Sequence, residues 1–287
     1  MRIYFLFFLL LNTLQSLFAQ EYENYLSLTA HNAEVQNLRF SPKGELLASA
    51  SFDNTVRIWE MPSGKLIYTL RGHSDDVLEV SFSPEARFVA TASRDGSVKV
   101  WDLTNGSLKA TFYNKPFYHR NGDIYKAVTF VSFSTDGKYI YFAGKSAYLM
   151  KAKINNSKEI AKEIYNANTS FDEFRTITGG CLSQDGKLVF ISTGKTVQLI
   201  SLQSEKRIKT ITYPSALLND VIAEPQSNML TYWAENGNVV LWNYLKGESV
   251  KSLKVTTGGK ENYSAISYSK NNKLLVTGGF ENEAKVW

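Results

Sequence analysis

Short runs of alternating apolar and polar residues, separated by turn residues, recur along the chain and predict β-strands. The clearest unit covers residues 77–112. It comprises the predicted strands Val77–Phe82, Phe88–Ala92, Ser97–Trp101 and Leu108–Phe112. Ser83-Pro84-Glu85-Ala86 and Asp95-Gly96 separate the first three strands and are typical of hairpin turns, since glycine tolerates a positive φ. The pattern therefore predicts an all-β fold built from four-stranded antiparallel units.

The same pattern is repeated along the chain. Residues 31–59 align without a gap with residues 73–101, at a constant offset of 42. The identical pairs include His31/His73, Val35/Val77, Phe40/Phe82, Asp53/Asp95 and Trp59/Trp101. Weaker copies of the first strand and its turn follow at Phe133, Leu182, Ala223 and Tyr268. Self-similarity at this period predicts a repeat architecture with six visible copies.

The two stronger copies resemble the WD40 repeat. The resemblance lies in Gly72-His73, Ser83-Pro84, Ala92-Ser93-Arg94-Asp95-Gly96 and Val100-Trp101-Asp102. It implies a β-propeller, in which four-stranded antiparallel blades stack radially. It also implies a structural hydrogen-bond chain in each of two blades. The implied members are His31, Asp53 and Trp59, then His73, Asp95 and Trp101, with Ser49 or Ser51 and Thr91 or Ser93 as the hydroxyl groups.

The strand count leaves two ring sizes open. We expect residues 20–287 to form the propeller, with Tyr22–Leu28 as an outer strand that completes the last blade. This arrangement gives six closed blades. The alternative is a seven-bladed ring, the commoner size in the family that the repeats resemble, whose C-terminal end is absent from this sequence.

The first residues have the order of a secretory signal. Arg2 precedes the apolar run Ile3–Leu11, and Leu17-Phe18-Ala19 precedes Gln20. The run is shorter than the roughly 20 residues required to cross a bilayer. We therefore expect residues 1–19 to be a signal peptide cleaved after Ala19, and the remaining chain to be secreted or periplasmic without stable membrane insertion.

Composition and charge exclude several classes of protein. A chain with 44% hydrophobic and 21% charged residues does not have the composition of a disordered protein. The formal net charge of +5 is scattered along the chain, which argues against a nucleic-acid partner. Three His and one Cys are too few for a structural zinc site. We expect neither a metal nor a cofactor.

Groups suited to catalysis are scarce. A hydrolytic site needs a nucleophile, a base and an orienting group within reach of one another. His31 and His73 belong to the structural chains, and Cys181 is expected to be a small core residue on a strand. We therefore expect a non-catalytic scaffold. The alternative is a propeller hydrolase, or the sensor portion of a larger exported enzyme, with a polar cluster of His119, Arg120, Asp123 and Tyr125.

The expected function is binding of a protein or peptide on the propeller face where the tight turns lie. The repeat spacing places near that rim Glu34, Asp76, Gln36, Leu78, Phe52 and Arg94. Phe52 and Arg94 are the main candidates because stacking and bidentate hydrogen bonds anchor ligands; the alternative for both is an ordinary exposed blade edge. Further candidates in the long loop before the third copy are Tyr118, His119 and Arg120, unless its aromatic residues simply cap the channel.

Two local segments predict secondary structure and not a binding site. Gly144-Lys145-Ser146 ends like a phosphate-binding loop, but Tyr139 stands where such a loop requires a glycine, so we expect a turn between strands. Ile160 and Ile164 share one face at helical spacing, so a helical turn is expected there on the surface.

Overall fold

The structure consists of antiparallel sheets whose strands follow one another along the chain. It is a computed structural model that describes residues 27–118, 122, 124–155, 160–167, 176–213, 217–224, 227–234, 238–254, 265–268, 275–278 and 284–286. These ranges contain strands and turns, and they include no helix that is long and apolar enough to cross a bilayer.

The first three sheets are four-stranded, and we call them blades 1 to 3. Blade 1 comprises β1 (Val35–Phe40), β2 (Leu46–Ser51), β3 (Thr55–Glu60) and β4 (Lys65–Arg71). Blade 2 comprises β5 (Val77–Phe82), β6 (Phe88–Ser93), β7 (Ser97–Asp102) and β8 (Ser107–Tyr113). A hairpin of β9 (Phe117–Tyr118) and β10 (Ile124–Tyr125) follows. Blade 3 comprises β11 (Val128–Phe133), β12 (Tyr139–Gly144), β13 (Tyr148–Lys153) and β14 (Lys162–Asn166).

Three further sheets continue the series as blades 4 to 6. Blade 4 comprises β15 (Ile177–Leu182), β16 (Leu188–Thr193), β17 (Thr196–Ser201) and β18 (Lys206–Thr212). Blade 5 comprises β19 (Leu218–Ala223), β20 (Met229–Ala234), β21 (Asn238–Asn243) and β22 (Glu248–Lys254). Blade 6 has three strands in the described ranges, β23 (Ala265–Tyr268), β24 (Leu275–Gly278) and β25 (Ala284–Val286). The predicted all-β fold of antiparallel blades with six visible copies is confirmed.

The first strands of the blades lie side by side at the inside of the propeller. β1 contacts β5, β5 contacts β11, β11 contacts β15, and β15 contacts β19. In such a meander, the turns between second and third strands share one face with the loops that enter the next blade. We call this the upper face, and it carries Phe52 and Arg94. The turns between first and second strands, including Lys43 and Lys138, lie on the lower face.

Apolar contacts between successive blades stabilise the propeller. Val77, Val80 and Phe82 of β5 pack against blade 1, in a cluster that contains Ile58. The corresponding residues of β11 pack against blade 2 in the same way. Burying one such side chain contributes about 1.5–3 kcal/mol relative to leaving it exposed. The contacts between blades therefore account for much of the stability of this fold.

Blade 1 has an apolar side that the described residues leave uncovered. Val35, Leu38 and Phe40 occupy the positions of Val77, Val80 and Phe82 in the next repeat. They are 45%, 53% and 60% exposed, respectively. We call these three residues the open flank. The described residues therefore do not close the ring here, and the choice between six closed blades and seven stays a prediction.

Two sequence predictions on connecting segments have different outcomes. The helical turn expected at Ile160–Ile164 is wrong, because Lys162–Asn166 forms β14, the outer strand of blade 3. Ile164 is buried there while Ile160 is 91% exposed, so pairing with β13 overrides the local helical spacing. The predicted strand Tyr22–Leu28 lies mostly outside the described residues, and Ser27 and Leu28 belong to no strand.

The turns of blade 2 show where the backbone requires a positive φ. Gly96 follows Asp95 with φ +89°, as its turn position predicts. In the turn between β5 and β6 the positive φ, 55°, falls on Ala86. The equivalent positions of blades 1, 3 and 4 hold glycine with φ between 67° and 79°. The Cβ of Ala86 therefore makes this turn sterically less favourable than the equivalent turns that contain glycine.

Candidate functional site

A directed hydrogen-bond chain crosses blade 1. The indole N–H of Trp59 donates to Ser49 Oγ over 2.9 Å, and Ser49 Oγ lies 2.7 Å from His31 Nε2. His31 Nδ1 lies 2.9 Å from Asp53 Oδ2. Since an indole nitrogen only donates, Ser49 donates in turn to Nε2, and the Nδ1–H of His31 donates to the carboxylate. Side chains from the loop before β1, from β2, from the turn after β2 and from β3 are thereby joined.

Blade 2 repeats this chain with threonine in place of serine. Trp101 Nε1 donates to Thr91 Oγ1 over 3.0 Å, and Thr91 Oγ1 lies 2.7 Å from His73 Nε2. His73 Nδ1 lies 2.8 Å from Asp95 Oδ2. The structure thus selects Ser49 and Thr91 from the hydroxyl groups that the resemblance left open. The other two, Ser51 and Ser93, donate to main-chain carbonyls of the loop that enters their blade.

The carboxylates at the ends of these chains are held in their ionised form. Burial by itself would raise the pKa of Asp53, but hydrogen bonds from Thr55, the Asn32 main chain and His31 outweigh it. The pKa of Asp53 is therefore well below its usual range. Burial would also raise the pKa of Asp95, but hydrogen bonds from His73 and from Ser97 outweigh this effect. The pKa of Asp95 is therefore strongly lowered as well.

The polar chain is specific to the first two blades among blades 1 to 4. In blades 3 and 4 the hydroxyl position is taken by Phe142 and Ile191, and the tryptophan position by Ala152 and Ile200. All four side chains are buried in apolar clusters between blades. Blades 3 and 4 therefore fill with hydrocarbon the space that blades 1 and 2 fill with a polar chain. This difference explains why the motif fades along the sequence while the fold continues.

On the upper face, Arg94 bridges the first two blades. Its guanidinium lies over the ring of Phe52, 5.5 Å from the ring centroid. Arg94 Nη1 also pairs with Asp76 Oδ2 at 2.6 Å. The Arg94 side chain nevertheless stays 52% exposed. A fixed cation beside an aromatic ring is thus presented to solvent at the boundary of blades 1 and 2.

The remaining rim candidates lie near this pair. Phe52 N donates to the carbonyl of Glu34 over 3.0 Å, so Glu34 is adjacent to the aromatic ring on the same rim. Gln36 Nε2 lies 3.4 Å from Glu34 Oε2. Gln36 and Leu78 each occupy the extra position of a β-bulge at the start of the inner strand. The structure therefore brings all six rim candidates to one edge of the upper face, with Gln36 exposed and Leu78 half-buried.

The candidates from the long loop are described only in part. Tyr118 is 66% exposed on β9, and its partner across the hairpin is Ile124, 58% exposed. The predicted site residues His119 and Arg120, and Asp123 of the alternative catalytic cluster, lie outside the described residues. Their roles stay predictions.

An open cleft lies between blades 2 and 3 on the upper face. Its volume is about 450 Å³, and it is lined by Asp75, Arg94, Ile124, Tyr125, Lys126, Ala127 and Lys145. Arg94 therefore borders both the stack on Phe52 and this cleft. Lys126 and Lys145 were not identified from the sequence as binding residues. Lys145 lies in the turn after β12, where Gly144-Lys145-Ser146 was predicted to form a turn.

Charged groups on the inner strands form a second feature that the sequence did not reveal. Arg39 of β1 pairs with Glu79 of β5 at 3.3 Å, and Glu79 Oε2 accepts the Val131 N–H over 3.2 Å. Burial raises the pKa of Glu79 and of Asp220 on β19, and Arg39 partly offsets this rise for both. The repeat register contains a signal for this feature, because Glu79 and Asp220 are the third residues of the equivalent strands β5 and β19.

The described cysteine is buried, and the two described histidines are engaged in hydrogen bonds. Burial raises the pKa of the Cys181 thiol well above its usual value, so the nucleophilic thiolate is disfavoured. His31 and His73 are both engaged in the blade chains. Among the residues that the structure describes, no three His, Cys, Asp or Glu side chains form a group that could hold a metal ion.

Comparison with known proteins identifies the repeats. The family described as "WD domain, G-beta repeat" matches residues 23–60, 64–102 and 247–287. The Nuclear distribution protein PAC1 of Gibberella zeae is 44% identical over 62 residues, which are 19% of this chain and 14% of that protein. The Ribosome assembly protein 4 of Saccharomyces cerevisiae is 43% identical over 42 residues, 15% of this chain and 8% of that protein. The matches thus span a small part of these relatives.

A solved structure extends the likeness to most of the fold. The β-propeller domain of Myceliophteria thermophila Cps50 (Swd1) superposes with a TM-score of 0.77. The superposition covers 90% of this chain and 84% of that chain, at 17% sequence identity. It supports the radial arrangement of the blades independently of the repeat motifs.

The expected localisation is wrong. The sequence predicted a secreted or periplasmic protein, whereas the relatives carry names that refer to nuclear distribution and ribosome assembly, which are processes inside the cell. The physical reason is that a short apolar run is not specific to signal peptides, because runs of that length also occur in protein cores. The predicted signal peptide, residues 1–19, lies outside the described residues.

The wider class of the protein follows from the repeats and the fold together. WD40 propellers typically serve as scaffolds for protein interactions, and this chain matches the repeat in three segments. Three segments of the chain therefore match the WD40 repeat, and the fold in which they lie is that of a β-propeller.

Proposed function

We propose that this protein is a non-catalytic scaffold that binds a protein or peptide on its upper face, at the rim of blades 1 and 2. The observation that carries the proposal is the arrangement of Phe52, Arg94 and Asp76 across two blades. Arginine and aromatic side chains concentrate the binding energy of protein interfaces. Here one of each is held in place and partly exposed beside an open cleft.

The arrangement lowers the cost of binding. Binding immobilises interface side chains, and the lost rotamer freedom costs about 0.5–1.5 kcal/mol of binding free energy for a flexible side chain such as arginine. Asp76 and Phe52 already restrict Arg94 in the free protein. The Arg94 side chain is therefore preorganised for binding a partner.

The propeller also supports the non-catalytic part of the proposal. Two histidines are consumed by the blade chains, and the buried thiol of Cys181 is disfavoured as a nucleophile. The two histidines are thus used to join side chains within their own blades. A scattered surface charge supports a protein partner over nucleic acid.

A matched pair of variants tests the proposal. Partners are first captured with the wild-type protein from the source organism, identified, purified and measured by calorimetry. We expect the double variant Phe52→Ala with Arg94→Ala to bind such a partner at least about tenfold more weakly, a loss typical of one hot-spot pair. The lower-face control, Lys43→Ala with Lys138→Ala, is expected to bind like the wild type.

Thermal unfolding of each variant establishes that the fold is retained. Equal affinity of the wild type and the upper-face double variant would overturn the proposal. Equal weakening by the upper-face and lower-face variants would overturn it as well, because the effect would then not belong to the upper face.

A further inference from the structure

We propose that the cleft between blades 2 and 3 binds an acidic peptide segment, in which carboxylate side chains alternate with apolar ones. The inference rests on the proposed function, because it assigns the chemistry of the partner at the neighbouring part of the same face. It is carried by the cationic side chains around the cleft and by the exposed apolar residues of the hairpin beside it.

The cationic side chains of the cleft differ in how they are paired. Arg94 already has a carboxylate partner, Asp76, at 2.6 Å. Asp75 also lines the cleft, and its carboxylate accepts the Asp76 main-chain N–H over 2.8 Å. Lys126 and Lys145 have no carboxylate within ion-pair distance among the residues that the structure describes. Two ammonium groups are therefore available to a ligand on the blade 3 side of the cleft.

The positions of both lysines are set by the backbone. The stem of Lys126 lies against Gly96, so closely that a Cβ on this glycine would come within 3.0 Å of Lys126 Cδ. Gly96 also adopts φ +89°, so a side chain is doubly disfavoured there. The main-chain N–H of Lys145 donates to the Ala127 carbonyl over 2.9 Å, which fixes its turn against the strand entering blade 3.

An apolar edge accompanies these charges. Tyr118 and Ile124 face each other across the hairpin of β9 and β10, and both are largely exposed. Ile124 and Tyr125 also line the cleft. A ligand that carries carboxylates next to apolar side chains can therefore pair with the lysines and cover this edge in one pose. Lysine suits such a ligand because its ammonium is a flexible point charge that does not require bidentate geometry.

Two labelled peptides provide the probe. One is a heptapeptide in which glutamates alternate with leucine and phenylalanine, and the other has glutamine in place of each glutamate. Fluorescence anisotropy with the full chain is expected to show binding of the glutamate peptide, at least about fivefold weaker binding of the glutamine peptide, and a loss of affinity as salt is raised. Equal binding of both peptides, or no binding of either, would overturn the inference.

Matched variants locate the binding. Lys126→Gln with Lys145→Gln is expected to weaken the glutamate peptide about five- to tenfold, the loss expected when two partly exposed charge pairs are removed. Lys43→Gln with Lys138→Gln on the lower face is expected to have no effect. Equal affinity of the cleft variant and the wild type would overturn the inference.

The natural partner separates this inference from the proposed function. If the partner loses affinity with Phe52→Ala and Arg94→Ala but not with Lys126→Gln and Lys145→Gln, the acidic-segment inference is wrong and the scaffold function stands. If neither pair of substitutions weakens the partner, the proposed function is wrong as well.

Discussion

Leu38 and Val80 occupy the same position in successive repeats, yet Leu38 is 53% exposed and Val80 is fully buried. Val80 packs against blade 1, whereas the corresponding side of blade 1 is the open flank. Since the two positions share a register and a strand type, the difference reflects what lies beside them. The pair therefore reports directly on whether the ring is closed at blade 1.

Truncation at the two positions is expected to have unequal effects. Val80→Ala removes buried hydrocarbon and is expected to lower the free energy of unfolding by about 2 kcal/mol. Leu38→Ala is expected to lower the free energy of unfolding by less than about 0.5 kcal/mol, as is usual at an exposed surface position. Urea unfolding of both variants measures the difference. A cost for Leu38→Ala as large as that for Val80→Ala would mean that the open flank is covered in solution.

The hydroxyl group of Thr91 is expected to contribute strongly to the stability of the fold. Thr91→Val leaves His73 Nε2 and Trp101 Nε1 without their shared partner in a buried site. Such an unsatisfied pair is expected to lower the free energy of unfolding by about 1–3 kcal/mol. Thr91→Ser retains the hydroxyl and serves as the control, since Ser49 performs this role in blade 1. Equal stability of the valine and serine variants would show that the chain is not stabilising.

Stability is expected to fall in acid because of the two turn aspartates. The folded pKa values of Asp53 and Asp95 are lowered, so their contribution to stability is fully present above the usual aspartate range, begins to fall as the pH enters that range, and is lost completely only at the lowered folded pKa values. The double variant Asp53→Asn with Asp95→Asn is expected to be less stable at neutral pH and to lose less between about pH 5 and pH 3. Urea unfolding across this pH range measures the free energy of unfolding of both proteins. The same pH dependence in the variant and the wild type would contradict the prediction.

Ala86→Gly is expected to stabilise the protein. Ala86 adopts φ 55° in a turn where blades 1, 3 and 4 have glycine, and a left-handed conformation costs an alanine about 1–2 kcal/mol. The greater entropy of glycine in the unfolded chain offsets part of this gain, so a net increase of about 0.5 kcal/mol is expected. Thermal unfolding measures it. A lower midpoint for Ala86→Gly would show that the turn is not strained.

The sequence predicted most of the fold because its repeats carry local signals. The alignment of His31 with His73 and of Trp59 with Trp101 identified two blades residue by residue. In blades 3 and 4 the polar chain is replaced by buried hydrocarbon, so only strand alternation and turn residues predicted them. At Lys162–Asn166 helical spacing gave the wrong element, because pairing with β13 is a tertiary effect.

The site was predicted less completely than the fold. Spacing within the repeat placed Phe52 and Arg94 on one rim, since both precede a turn aspartate. Their stacking across two blades and the pairing of Arg94 with Asp76 depend on the rotation between blades, which no local pattern encodes. Lys126 and Lys145 were missed for the same reason. They meet at a cleft between elements that are separate in the sequence.

Site-specific crosslinking tests the central claim, that the upper face of this propeller binds a protein, most directly. A photoreactive phenylalanine derivative replaces Phe52 in one variant and Lys43 on the lower face in another, and both are irradiated with the purified partner. The upper-face position is expected to give a covalent adduct with the partner, and the lower-face position is expected to give none. An adduct from position 43 without one from position 52 would contradict the claim.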